Sequence, residues 1–348
     1  MQLEIAGRKV GADAPSLLIA EAGVNHNGSL ELARQLVIVA AKAGADAVKF
    51  QTFRAAELAT ATAPKAEYQA RNDGADESQL AMLQRLELSE AAHHELLACC
   101  REHGVMFLST PFEAASADFL ERLGLPAFKV PSGEVTNLPF LELLARKGRP
   151  LILSTGMATL AEVEIAVVAI RGAGNPPLAL LQCVSNYPAD PAHVNLRAMQ
   201  TMREAFGVPV GYSDHTLGNE VAFAAVALGA CIIEKHFTLD RALPGPDHAA
   251  SLEPGELAAF VRGVRNVEAA LGDGRKVPAA SEAGTAAVAR KSLVAARAIR
   301  AGETVTGEMF AARRPGTGLP PSVLKKLLGR RARADIATGT LVTRGMFA

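Results

Sequence analysis

A surplus of charge of either sign is missing from this sequence: 36 Lys and Arg stand against 36 Asp and Glu. Binding to nucleic acid or to an anionic membrane draws on an excess of Lys and Arg, so neither partner is expected, and the ligand is expected to be small. No apolar run approaches the roughly 20 residues that crossing a bilayer takes. Ser16 to Ala20 is too short for a signal-peptide core and no basic start precedes it, which points to a cytoplasmic protein. Cysteine is scarce. Cys99, Cys100, Cys183 and Cys231 have neither CxxC spacing nor the density of a disulfide scaffold, and they read as reduced, mostly buried thiols. No GxGxxG follows the first strand-like run and no HExxH occurs, so two common signatures, for dinucleotides and for zinc, are absent.

What the sequence does have is apolar content, 49% of 348 residues, enough to bury a sizeable core. That length fits one large domain plus a small one, or two of middling size. Short apolar runs alternate with segments of helical period such as Ser29 to Ala43. The runs are Leu17 to Glu21, Ala47 to Gln51, Val105 to Ser109, Ala127 to Val130, Leu151 to Ser154, Leu178 to Val184, Val208 to Tyr212 and Cys231 to His236. Strands that are nearly all apolar suit a parallel sheet buried on both faces. Eight βα units over roughly 250 residues is the size of a (β/α)8 TIM barrel, an α/β fold, with a doubly wound sheet as its competitor. The barrel is expected over 1–275, a linker over 276–290, and a small β-rich domain over 291–348. The stretch Arg54 to Glu90, with Asn72-Asp73-Gly74 inside it, is too long for an ordinary βα loop and is expected to act as a lid.

In such a barrel the site is built at the C-terminal ends of the strands, and polar residues gather there: Glu21; Lys49 and Gln51; Ser109-Thr110; Lys129, Ser132 and Glu134; Ser154; Gln182, Ser185 and Tyr187; Ser213-Asp214-His215; Glu234-Lys235-His236. Any one of them has a plain explanation, since strand ends adjoin polar loops. Lys49 and Lys129, however, sit within apolar strands, and a buried unpaired ammonium costs several kcal/mol, so the two lysines ask for an anionic ligand. With Ser132, Ser154 and Ser213 as hydroxyl donors the set suits a phosphate and a carboxylate. His215 and His236 close consecutive strands and could hold a divalent metal between them, although a lone His is more often a hydrogen-bonded rim residue. Glu21 reads either as a rim salt bridge or as a general base.

These motifs in order resemble the sialic acid synthase family, whose members condense phosphoenolpyruvate with an N-acyl hexosamine to give a nine-carbon 2-keto acid. The resemblance rests on Ile19-Ala20-Glu21-Ala22-Gly23-Val24-Asn25-His26-Asn27-Gly28, Val48-Lys49-Phe50-Gln51-Thr52, Lys129-Val130-Pro131-Ser132-Gly133-Glu134, Tyr212-Ser213-Asp214-His215-Thr216 and Glu234-Lys235-His236-Phe237-Thr238. Arg314-Pro315-Gly316-Thr317-Gly318 is similar to part of the family's C-terminal domain, itself similar to type III antifreeze proteins. The resemblance implies manganese or magnesium on His215 and His236, and phosphoenolpyruvate held by Lys49, Lys129, Ser132, Ser154 and Ser213. It implies catalytic roles for Glu21 and Glu134 beside the two lysines, and sugar contacts from Gln51, Ser185, Tyr187 and Asp247. Arg314 would reach the sugar from the partner subunit of a domain-swapped homodimer. Ser185 stands where several N-acetylneuraminate synthases carry Asn, so the acyl sugar is N-acetylmannosamine in the first reading and a legionaminate or pseudaminate precursor in the second. Two rivals of other classes stand beside these: a Schiff-base pyruvate lyase using Lys49, Lys129 or Lys235, and a non-enzymatic sugar- or ice-binding protein.

Overall fold

The computed structural model describes residues 2–66, 69–70 and 77–348. The chain divides into two compact units, Met1–Gly272 and Asp273–Ala348.

The first unit opens with an antiparallel hairpin, β1 (Gln2–Ile5) and β2 (Arg8–Gly11), that the sequence pattern did not reveal. Ala6 and Gly7 both take positive φ at its turn, +51° and +78°, the twist that two-residue hairpins favour. Eight parallel strands follow: β3 (Leu17–Gly23), β4 (Ala47–Thr52), β5 (Met106–Pro111), β6 (Phe128–Val130), β7 (Leu151–Ser154), β8 (Leu178–Cys183), β9 (Val210–Asp214) and β10 (Ile232–His236). Their order is β5-β4-β3-β10-β9-β8-β7-β6, and the two edge strands β5 and β6 pack side by side, so the sheet is a nearly closed TIM-type barrel. The expected eight strands are these eight.

Strand alternation sorts the side chains. Outward residues such as Leu18, Val48, Phe50, Phe128, Leu153, Tyr212 and Ile233 share one core with the surrounding helices. Inward residues Leu17, Ile19, Ala47, Leu108, Ala127, Ile152, Ala179, Leu181 and Ile232 form a second core, to which Leu3, Ile5 and Val10 of the hairpin add themselves. The next inward position along each strand is where apolar side chains give way to polar ones. The helices are fixed by local chemistry. In Leu30–Ala43, Ser29 accepts from Leu32 N at the start and Gly44, at φ +81°, ends the last turn.

The segment after β4 carries helices Ala55–Leu58 and Gln79–Leu86. Met82 and Leu86 bury with Val24 and Phe53 in a small cluster of their own. Asn72-Asp73-Gly74 lies outside the described residues.

In the second unit, β11 (Ser292–Ala295) and β12 (Phe310–Arg313) pair antiparallel over a core of Leu293, Ile299, Val305, Met309, Leu327, Ile336, Val342 and Phe347. Within 276–290 a helix, Ala283–Ala289, receives Gly316 N on Ala287 O and Arg314 Nε on Ala289 O. Among the described residues no helix is long and apolar enough to cross a membrane.

Candidate active site

The polar inward positions converge on one cavity of about 420 Å³ at the C-terminal end of the barrel. Glu21, Lys49, Gln51, Lys129, Ser132, Ser154, Ser185, Tyr187, Ser213, His215, His236 and Asp247 all line it, together with Thr110, Cys183 and Glu234. Leu58, Met82, Leu83 and Leu86 of the long segment after β4 line it as well. A register shift in β3 between Glu21 and Gly23 ends the strand beside the site.

Lys49 and Lys129 are buried, but neither ammonium is left to a ligand alone. Lys49 Nζ lies 2.8 Å from Glu21 Oε2 and 3.8 Å from Glu234 Oε2, and it donates to Thr110 Oγ1 at 2.9 Å. Lys129 Nζ lies 3.5 Å from Glu234 Oε1 and donates to Ser154 Oγ at 2.8 Å. Ser213 Oγ donates to Glu234 Oε1 at 3.0 Å. Glu234 therefore stands between the two lysines, and the inference from buried lysines to an anionic ligand was incomplete because the protein supplies two anions itself. Burial would raise Glu234, yet Lys129 and Lys49 hold its pKa below the usual carboxylate value. Burial also would lower Lys49, which Glu21 and Glu234 keep above the ordinary lysine value, whereas at Lys129 burial wins and the pKa falls. Glu21 is pushed up to about 7, chiefly by burial and against the pull of Lys49, so near neutrality it can take up or give away a proton.

The two imidazoles face the same cavity with ring centroids 5.4 Å apart, and Tyr187 lies 4.0 Å from the His215 ring. His215 Nδ1 is 2.6 Å from Val184 O; a carbonyl only accepts, so Nδ1 carries the hydrogen, and in the neutral ring Nε2 has the lone pair a metal needs, although, against the effect of burial, Cys183 and the Val184 carbonyl raise the pKa of this ring. His236 Nδ1 is buried without a hydrogen-bond partner, and Asp247 Oδ2 is 4.0 Å from it. Burial, with His215 next, holds His236 well below the ordinary histidine pKa and thus neutral. Two imidazoles, one of them with an orphaned buried nitrogen, fit a divalent cation. Among the described residues no group of three or more His, Cys, Asp and Glu is arranged around a metal position.

Asp247, raised to about 6 by burial, is carried on the loop after β10, where Asn25 Nδ2 donates to Ser251 Oγ at 3.0 Å and Ser251 Oγ to Asp247 O at 2.6 Å. Gly156 N donates to Ser132 Oγ at 2.9 Å, and a Cβ at Gly156 would press on Ser185 Oγ and Ser132 Oγ, so a larger residue here would displace both hydroxyls.

Not every residue singled out at a strand end comes to the cavity, and each exception has a reason of local geometry. Glu134 sits in a 3₁₀ turn, Ser132–Glu134, that swings its carboxylate out of the cavity lining to accept from Asn137 Nδ2 at 2.6 Å. Gln182 points outward and donates to Val194 O at 2.8 Å. Lys235, one of the candidate Schiff-base lysines, also points outward, to Asp214. Arg314 belongs to the second unit, where its Nε meets Ala289 O at 3.0 Å.

Comparison with known proteins agrees with this geometry. Residues 36–276 match the NeuB family and residues 290–348 match the SAF domain. The N,N'-diacetyllegionaminic acid synthase of Legionella pneumophila is 46% identical over 334 residues, covering 95% of this chain and 94% of that protein. The synthase of the same name from Campylobacter jejuni is 47% identical over 329 residues, covering 94% and 98%. The crystal structure of N-acetylneuraminic acid synthetase from Leptospira borgpetersenii superposes with a TM-score of 0.72 at 34% identity, covering 82% of this chain and 95% of that one.

Proposed function

Because the chain belongs to the NeuB family, we propose that it condenses phosphoenolpyruvate with an N-acyl hexosamine to form a nine-carbon 2-keto acid and inorganic phosphate. The observation that carries this reading is the meeting of Lys49, Lys129, Ser154 and Ser213 with His215 and His236 around a single cavity. N-acetylmannosamine was the expected sugar. The two relatives at 46% and 47% identity make diacetyllegionaminic acid by name, which favours a diacetylated hexosamine ahead of it.

In this reading the lysines and hydroxyls hold the phosphate and carboxylate of the donor. Ser154 Oγ accepts from Lys129, which leaves its hydroxyl hydrogen to donate to a phosphate oxygen. C3 of phosphoenolpyruvate attacks the aldehyde carbon of the open-chain sugar. Water then adds at C2, and the C–O bond to phosphate breaks. Glu21, with a pKa of about 7, takes one proton of that water and passes it to the alkoxide left on the former aldehyde oxygen; the C2 hydroxyl gives its proton to the departing phosphate as the keto group forms, and Lys49 keeps the Glu21 carboxylate in place. His215 and His236 would hold manganese or magnesium. When bound, such an ion supplies Lewis acidity toward a carbonyl oxygen. Gln51, Ser185, Tyr187 and Asp247 line the remaining wall and would contact the sugar. Arg314 would complete the sugar site from a partner subunit in a domain-swapped homodimer working in the cytoplasm.

The test is a product mass after incubation with phosphoenolpyruvate, Mn²⁺ and a panel of N-acyl hexosamines, together with phosphate release. Expected are a mass equal to sugar plus pyruvate and phosphate release that requires both sugar and metal. Covalent trapping of pyruvate by borohydride, with turnover surviving chelation, would establish the Schiff-base lyase in its place.

A further inference from the structure

Behind the cavity floor lies a second ionic cluster that a ligand in the cavity does not touch. β9 and β10 pair with Lys235 opposite Asp214, and both side chains leave the outer face of the barrel, the face of Tyr212 and Ile233. Lys235 Nζ donates to Asp214 Oδ2 at 2.5 Å and to Thr216 O at 2.8 Å. Asp214 Oδ1 accepts from Tyr212 OH at 3.0 Å, Thr216 N at 2.9 Å and Thr216 Oγ1 at 2.7 Å. The two side chains are 3% and 0% exposed.

A pair buried this deeply adds little net stability, because desolvation offsets the attraction. Its place in the register gives it a different consequence. The neighbours of Asp214 in sequence are Ser213 and His215, those of Lys235 are Glu234 and His236, and all four face the cavity. The pair therefore ties together, from behind, the two strand ends that carry both imidazoles. It also grips the N–H and the C=O of Thr216, the residue that follows His215.

We propose that Asp214 and Lys235 are positioning residues that fix the separation of the His215 and His236 rings and thereby the affinity of the site for its divalent cation. The inference rests on the metal reading of the proposed function. Its test uses the full chain, labelled with ¹⁵N-histidine, as wild type, Lys235→Met, Lys235→Arg and the double variant Asp214→Asn/Lys235→Met. Circular dichroism and thermal unfolding report the fold, ring spectra of the metal-free protein report the imidazoles, and the electron paramagnetic resonance of free Mn²⁺ reports binding. In the double variant no charge is left unpaired, so it is expected to melt near wild type. Its His215 and His236 ring signals are expected to shift or broaden while those of His93 stay put, and its Mn²⁺ affinity to fall about 10–100-fold, the usual effect of removing a residue that orients a metal ligand. Lys235→Arg keeps the charge and is expected to hold both readouts close to wild type, and it remains available if the double variant does not fold. Ring signals and Mn²⁺ affinity unchanged in the double variant, or lost as fully in Lys235→Arg, would overturn the proposal. A wild-type protein that binds no Mn²⁺ would instead remove the metal reading, and the ring spectra would still decide whether the pair positions the imidazoles.

Discussion

The two units of this chain are opposites in chemistry. Met1–Gly272 holds 22 Lys and Arg against 31 Asp and Glu, net −9, whereas Asp273–Ala348 holds 14 against 5, net +9. All eight histidines, all four cysteines and all three tyrosines lie in the first unit. The barrel buries its charges in pairs around a cavity, and the small unit carries most of its arginines and lysines exposed around a ten-residue core. A neutral total is thus a cancellation between a unit equipped for chemistry and a unit equipped for attraction, which composition averaged over the whole chain conceals.

The sharpest way to separate the two is to damage the cavity. Lys129→Met removes a buried charge that lines the cavity and, if the proposed function holds, is expected to lower kcat/KM for phosphoenolpyruvate about 10²–10³-fold, read by phosphate release. Hydrogen exchange in the second unit should be untouched. Glu234→Gln has a different signature. It leaves Lys49 and Lys129 to share Glu21, so the ligand-free protein should melt several degrees lower, and phosphoenolpyruvate should recover more of that loss than it adds to wild type. Equal stabilisation of both proteins by the ligand would show that Glu234 does not compete with it for the lysines.

Glu234 also marks where sequence reading stopped. The eight strands were legible because each is a short apolar run between helical stretches, and the polar residues were legible as strand ends. Which side of a strand a residue faces was not. A strand buried on both faces has no polar side to set its parity, so the sequence offers His236 as a metal ligand and Lys235 as a Schiff-base alternative but gives Glu234 no role, and only the register turns Glu234 and His236 inward and Lys235 outward. That Glu234 lies between lysines from β4 and β6 depends on strands more than 75 residues of chain from it, and those pairings come from barrel closure. Glu134 was misplaced for a local reason: two residues after Ser132, a 3₁₀ turn had already changed its direction. The opening hairpin was missed because its turn is Ala6-Gly7, weaker as a signal than Asn-Gly.

Arg314 tests the second unit. Arg314→Ala is expected to raise the sugar KM about 10-fold, the worth of one charged hydrogen bond, and to leave that of phosphoenolpyruvate nearly unchanged. Mixed with Glu21→Ala chains it should recover activity, since a swapped dimer would then assemble one intact site; absence of complementation counts against the swap. Salt gives a gentler version of the same test. If net charges of −9 and +9 draw the units of two copies together, raising NaCl from about 0.05 to about 0.5 M shortens the screening length well below 10 Å and should raise the sugar KM several-fold. A flat response would mean that apolar contacts hold the partner.

The smallest expected effect concerns acid, and it again divides the units. Burial holds His26 down to about 3 and His248 down to about 4, and it lowers His93, whose ring is engaged by Thr52 Oγ1 and Ser89 O. An unfolded chain protonates these rings, and that of His236, near pH 6.5, whereas the folded barrel does not; Glu21 and Asp247, raised by burial, oppose this by taking up protons earlier in the folded state, but the lowered histidines outnumber them, so barrel stability falls as pH drops from about 6.5 toward 5. The second unit has no histidine and lacks this term. Hydrogen exchange of β7 and β8 should therefore quicken between about pH 6.5 and 5, after correction for intrinsic rates, while that of β11 and β12 stays level. Equal acceleration in both units would mean that the barrel histidines do not govern the acid response, and His93→Gln, which keeps a hydrogen bond without the titration, should flatten the barrel's slope if they do.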